Sequence, residues 1–235
     1  MKIVVESGEE LNKLLDVLAK DIVDANIYYK LFTGLIKSAS EHSDEVNQSN
    51  TFWWLALEAI KEAYMLRLCR IFDQNDKSLN LVNLLDTIKS NRHFFEEPHF
   101  RERLKDNAFV DSLAEGVVIP SIEELQADIE FANDRNPVVC KLTLWRHNVY
   151  AHTGKPTAFR MLDENSISKE EIEQLLDKCF SIFNKYMSMY KASTWSRQII
   201  GHDDYLSLFK FLRMGLEKHE ADIQRDIDSL NSRLK

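Results

Sequence analysis

The chain has 235 residues, 44% of them hydrophobic, with only six glycines and four prolines, a composition that fills a core and favours long helices over many tight turns. A formal net charge of −8 argues against a general nucleic-acid coat protein. Three well-separated cysteines (Cys69, Cys140, Cys179) contain no CxxC pair, so neither a disulfide frame nor a zinc site is expected. No apolar run approaches the roughly 18 residues of a membrane span. The opening MKIVVESGEE turns acidic too early for a secretory signal. The expectation is a cytoplasmic protein with no membrane contact.

In chain order, Ser7 with Glu10 makes the first of three capping-box patterns; Ser121 with Glu124 and Ser168 with Glu171 make the others. The first predicts a helix from about Gly8 to Lys37, followed by a polar loop over 38–50. A second helix, about Thr51 to Phe72, is apolar nearly all round (Phe52, Trp53, Trp54, Leu55, Leu57, Ile60, Tyr64, Leu66, Leu68) and is expected in the middle of a bundle. Its Trp53-Trp54 pair reads as core or dimer interface. Arg67 and Arg70 on it need partners; Asp73 lies three residues beyond Arg70, and the alternative role is a basic contact in a cleft. The run Asp73–Lys77 breaks the helix, and Ser78 is placed to cap a short one, Leu79–Ile88. Residues 89–120 predict short helices and loops.

Helical spacing resumes over Ile122–Ala132. Asn136 followed by Pro137 is a good helix start and opens a helix expected to run to Ala151, stopped by Gly154 and Pro156. Ile172, Leu175, Leu176, Cys179, Phe183, Tyr186 and Tyr190 define a further core helix. Cys140 and Cys179 lie on apolar faces and are expected to be buried thiols rather than nucleophiles. His202-Asp203-Asp204 reads as the start of a last helix reaching Leu234, strongly charged after Glu217 and expected to project or to meet a partner. Apart from Lys2–Glu6 nothing alternates like a strand. The expected fold is an all-α helical bundle with a long charged C-terminal helix, one domain over 1–235 with its core at about 8–190 and an extension at about 203–235.

Chemistry concentrates in Trp145–His152, WRHNVYAH. Arginine offers a planar donor fork for phosphate, and histidine exchanges a proton near neutral pH. The segment from Arg135 to Leu162 contains no Asp or Glu but five bases, Arg135, Lys141, Arg146, Lys155 and Arg160. A basic zone on an acidic body suits a phosphate-bearing ligand; a buried helix would exclude acids equally well. On a regular helix Arg146 and His152 would stand about 120° apart and about 9 Å along the axis, too far to meet on one atom unless the last turn unwinds or two such helices face each other. The remaining histidines (His42, His93, His99, His202, His219) show no metal-ligand spacing, and no metal or cofactor is expected. No glycine-rich phosphate loop is present.

Arg146, the polar His147 after it and His152 resemble the motif of the HEPN superfamily. Trp53-Trp54, Arg70-Ile71-Phe72-Asp73 and Ser78-Leu79 resemble its AbiU-type abortive-infection branch. The resemblance implies a metal-independent endoribonuclease acting in phage defence or toxin-like growth arrest. A ribose 2′-hydroxyl would attack the adjacent phosphorus, with His152 as general base or acid and Arg146 stabilising charge on the phosphorane oxygens. His147 would orient the phosphate or assist proton transfer; many relatives carry asparagine at that position, which leaves open whether His147 or Asn148 fills the polar role. Asn148, Lys141 and Lys155 complete the expected substrate-binding set. The resemblance also implies a homodimer through the motif helix, with a composite cleft for RNA and room for a protein inhibitor or antitoxin. Relatives paired with a nucleotidyltransferase antitoxin carry a tyrosine two residues after the histidine; Gly154 stands there here, which argues against that regulation. The alternative is a catalytically inactive adaptor binding protein, RNA or nucleotide through the same cleft.

Overall fold

The computed structural model describes residues 3–150 and 165–234, with the side chains of residues 149 and 150 left aside. The architecture is all-α, with no strand among the described residues; residues 3–5 carry no regular structure. The chain falls into two compact units, residues 1–26 with 62–198 and residues 27–61 with 199–235.

The first unit holds the start of α1 (Gly8–Glu41) and the end of α3 (Asn50–Ile71). It also holds α4 (Leu81–Ser90), a 3₁₀ turn (Arg92–Phe95), α5 (Glu97–Arg103), α6 (Val110–Ala114), α7 (Ile122–Ala132), α8 (Pro137–Trp145) and α9 (Lys169–Lys191). Leu11, Leu15, Leu18 and Ile22 of α1 are buried at the three-to-four-residue spacing that lines one helix face. Arg67 of α3 donates to Asp24 at 3.4 Å, and Arg70 pairs with Asp21. Both arginines are thus held by α1; Asp73, the partner expected for Arg70, is engaged elsewhere. The buried face of α9 (Leu175, Leu176, Cys179, Phe183, Tyr186, Tyr190) is as its spacing predicts. Ser168 and Glu171 close a full capping box at its start. Its other end is secured by Arg103, whose Nε donates to the Tyr190 carbonyl at 2.8 Å while its guanidinium stacks 3.6 Å from the Tyr190 ring. α4 packs against α7.

The second unit contains the rest of α1 and α3, α2 (Ser43–Asn47) and α10 (Tyr205–Arg233). Most of the stretch expected as a loop over 38–50 is helical: α1 runs on to Glu41 and α2 follows. The polar run misled because its hydrophilic residues lie on the outside, whereas Ser38 and Glu45 point inward. Phe209 of α10 is fully buried, stacked on Trp53 at 5.0 Å and on His42 at 4.7 Å. Gly34 admits the Tyr205 hydroxyl, which would lie 2.5 Å from a Cβ there. α3 is not enclosed all round: Phe52, Trp54 and Leu55 are exposed while Trp53 is buried.

Glu45 is a buried carboxylate. Arg213 donates to its Oε1 at 2.6 Å, with His42 Nδ1 3.5 Å away. The hydrogen bond from Arg213 is the leading cause of a carboxyl pKa held below its ordinary value, against desolvation. A lowered folded-state pKa contributes stability above the ordinary carboxylate value of 4.5 and loses it as pH falls through the folded-state value. Replacing Glu45 by Gln is therefore expected to lower the melting temperature at pH 7 and to flatten its fall between about pH 5 and pH 3, measured by thermal melts across that range beside the wild type.

Candidate functional site

The site forms where the end of α3, the turn leading to α4, and α8 come together. α8 starts as its sequence dictates, with the Asn136 side chain accepting from the Val138 amide at 3.0 Å and Pro137 in the first turn. It does not continue as an α-helix to Ala151. From Arg146 to Tyr150 the backbone takes a π-helical turn, the wider i→i+5 geometry that concentrates at functional positions. Arg146 is the hinge residue; its amide is shared between the Leu142 and Thr143 carbonyls.

The Arg146 guanidinium pairs with Asp73, a carboxylate only 7% exposed. Asp73 is held in place by its own turn: the Asn75 amide donates to Oδ1 at 3.2 Å and the Ser78 hydroxyl to Oδ2 at 3.0 Å. The Asn75 carbonyl accepts from the side-chain amides of both Asn80 and Asn83 at 2.9 Å. Asn80, rather than Ser78, caps α4: its Oδ1 accepts from the Asn83 amide at 2.8 Å. Ser78 is diverted because Asp73 offers its hydroxyl a charged acceptor. Gln74 ties the turn to α7 by donating to the Ala132 carbonyl at 3.2 Å. The Arg146 side chain keeps about a third of its surface exposed. It has five N–H donors, and the Nη1 contact to Asp73 uses only part of that hydrogen-bonding capacity.

Beneath the pair lies Cys69, whose thiol faces the Leu142 carbonyl at 3.9 Å. Burial pushes its pKa up to about 12, opposed by Arg146, so it stays a protonated packing group. Cys179 is likewise buried, with its thiol raised to about 12. Cys140, expected to be buried, is exposed, because α8 turns it away from the face carrying Val139 and Leu142.

Of the other expected site residues, His147, Asn148 and Lys141 are described. His147 is exposed on the π-helical turn. Asn148 donates back to the Leu144 carbonyl at 2.8 Å. Lys141 is committed to Glu171 at 2.7 Å; the Glu171 pKa is lowered, chiefly by that bond. His152 and Lys155 lie outside the described residues. Trp145 Nε1 donates to the Asn165 carbonyl at 3.0 Å, which brings the chain back beside the end of α8. Among the described residues no cluster of three or more His, Cys, Asp or Glu is arranged to hold a metal ion, and no helix is long and apolar enough to cross a membrane. A cavity of about 600 Å³ in the first unit is lined by Gly8, Asn12, His99, Arg103 and Lys191, and neither Arg146 nor His147 is among its lining residues.

Asp73 is the site residue that reading the motif alone misses. The missing acids from 135 to 162 were the available signal: an arginine there must find its countercharge elsewhere, and Asp73 ends the apolar helix at the one polar break before α4.

An all-α chain in which Arg146 follows the end of one helix and is clamped by the turn after another has features of a HEPN-type protein. The family described as AbiU2, a HEPN branch, matches residues 8–209; the chain belongs to that family. No curated protein and no solved structure matches it.

The clamp predicts strong energetic coupling. Asp73→Ala strips an acceptor from three donors and is expected to cost about 2–4 kcal/mol. In a double-mutant cycle with Arg146→Ala, followed by urea denaturation, the two substitutions should couple by about 1–3 kcal/mol; additive losses would show that the pair is incidental.

Proposed function

We propose that this chain is a metal-independent endoribonuclease of HEPN type that acts as a homodimer and serves in abortive phage defence or toxin-like growth arrest. The observation that carries the reading is Arg146, paired with a buried carboxylate and still partly exposed on a π-helical turn in an acid-free stretch. The ribose 2′-oxygen forms a bond to phosphorus as the bond to the 5′-oxygen breaks. His152 takes the 2′-hydroxyl proton or delivers one to the leaving oxygen. Arg146 neutralises charge that builds on the non-bridging oxygens, and exposed His147 orients the phosphate or assists proton transfer. Asn148 and Lys155 are candidates for holding RNA; Lys141 would do so only by leaving Glu171. The products are a 2′,3′-cyclic phosphate and a 5′-hydroxyl. The motif helices of two copies would face each other across the cleft, with an inhibitor or antitoxin as a further partner.

The Asp73 clamp itself favours a second reading, a catalytically inactive adaptor in which Arg146 is structural and the same cleft binds protein, RNA or nucleotide. Incubation of the full chain with a tRNA and mRNA mixture in EDTA separates the two. Cleavage that leaves 2′,3′-cyclic phosphate ends and falls at least about a hundredfold in His152→Ala is the expected result. RNA bound but left intact by a folded wild-type chain would assign the adaptor role.

A further inference from the structure

We propose that the distal half of α10 is a self-association surface, pairing antiparallel with the same segment of a second copy of this chain. The near half of α10 places Tyr205, Phe209 and Leu212 against Leu31, Leu35, Val46, Trp53, Leu57 and Ile60. The same stripe continues past Leu216 through Ile223, Ile227, Leu230 and Leu234, spaced four, three and four residues apart. These four are 46%, 44%, 59% and 86% exposed, the exposure of a bare helix face. An apolar line that is core in its first turns and uncovered over the next 27 Å or so is a surface with its partner missing.

Residues 217–234 carry five acids (Glu217, Glu220, Asp222, Asp226, Asp228) against three bases (Lys218, Arg225, Arg233), which disfavours an anionic lipid surface. The spacing of the stripe is that of alternating d and a positions of a two-stranded coil, with Ile223 and Leu230 at d and Ile227 and Leu234 at a. Antiparallel pairing sets Ile223 against Leu234 of the other copy and Ile227 against Leu230, four apolar layers in all. Asp226 and Arg233 then occupy the flanking g positions, and each falls beside the other residue of the second copy, twice per pair. Neither has an ion-pair partner among the described residues. A parallel pair would instead face Asp226 with the uncharged Asn231. Charge complementarity thus selects both the occupant and its direction. This contact uses a different segment from the motif-helix dimer proposed above: α10 and the motif helix belong to different units of the chain.

Sedimentation equilibrium of the full chain tests the pairing with Asp226→Arg, Arg233→Asp and the double reversal beside the wild type. Each single reversal turns two attractions into two repulsions and should weaken the association about tenfold or more. The double reversal restores opposite charges and should return to within about threefold of the wild type. Ile227→Glu, with helix content checked by circular dichroism, should abolish this step of assembly. Any motif-helix association is common to all the variants, so differences among them belong to α10. Equal association across the series, or a double reversal as weak as the singles, would overturn the proposal.

Discussion

A carboxylate that is nearly out of water must have a fixed cation beside it, and the first unit is arranged around that requirement at Asp73. Isolated, such a charge would carry a desolvation penalty of several kcal/mol. Arg146 meets it from the far side, and the Asn75 amide and Ser78 hydroxyl take up remaining lone pairs. The consequence runs outward: the turn is locked to α4 through Asn80 and Asn83 and to α7 through Gln74, so the position of one guanidinium is set by three helices besides its own. A surface arginine would lose rotamer freedom on meeting a phosphate; this one has already lost it.

The same clamp bears on chemistry. Asp73 partly neutralises the cation meant for a phosphate, yet it also ties down one end of the donor fork through Nη1. The π-helical turn beginning at Arg146 changes the angular step from one residue to the next as far as Tyr150. Both features place Arg146 at a point where backbone geometry and electrostatics change together.

The helices were legible in the sequence where caps and periodicity agree. α7 and α9 begin at their serine caps, and α9 buries the face its spacing marks. Legibility failed where polar residues do structural work at a distance. Residues 38–50 look like a loop because nothing local shows that Glu45 will be paired by Arg213, 168 residues later. Ser78 looks like a cap because its bond to Asp73 is a property of the folded turn. Cys140 looked buried because an apolar helix does not reveal which of its faces is turned outward. The motif was legible as a set of residue types, Arg146 and His147 among them; its countercharge was not, since Asp73 and Arg146 stand 73 positions apart and nothing in either segment names the other.

The bond from the Trp145 indole to the Asn165 carbonyl holds together two points twenty residues apart, with His152 seven residues from the first and thirteen from the second. Trp145 immediately precedes Arg146, so this bond also anchors the backbone at the residue where the π-helical turn begins.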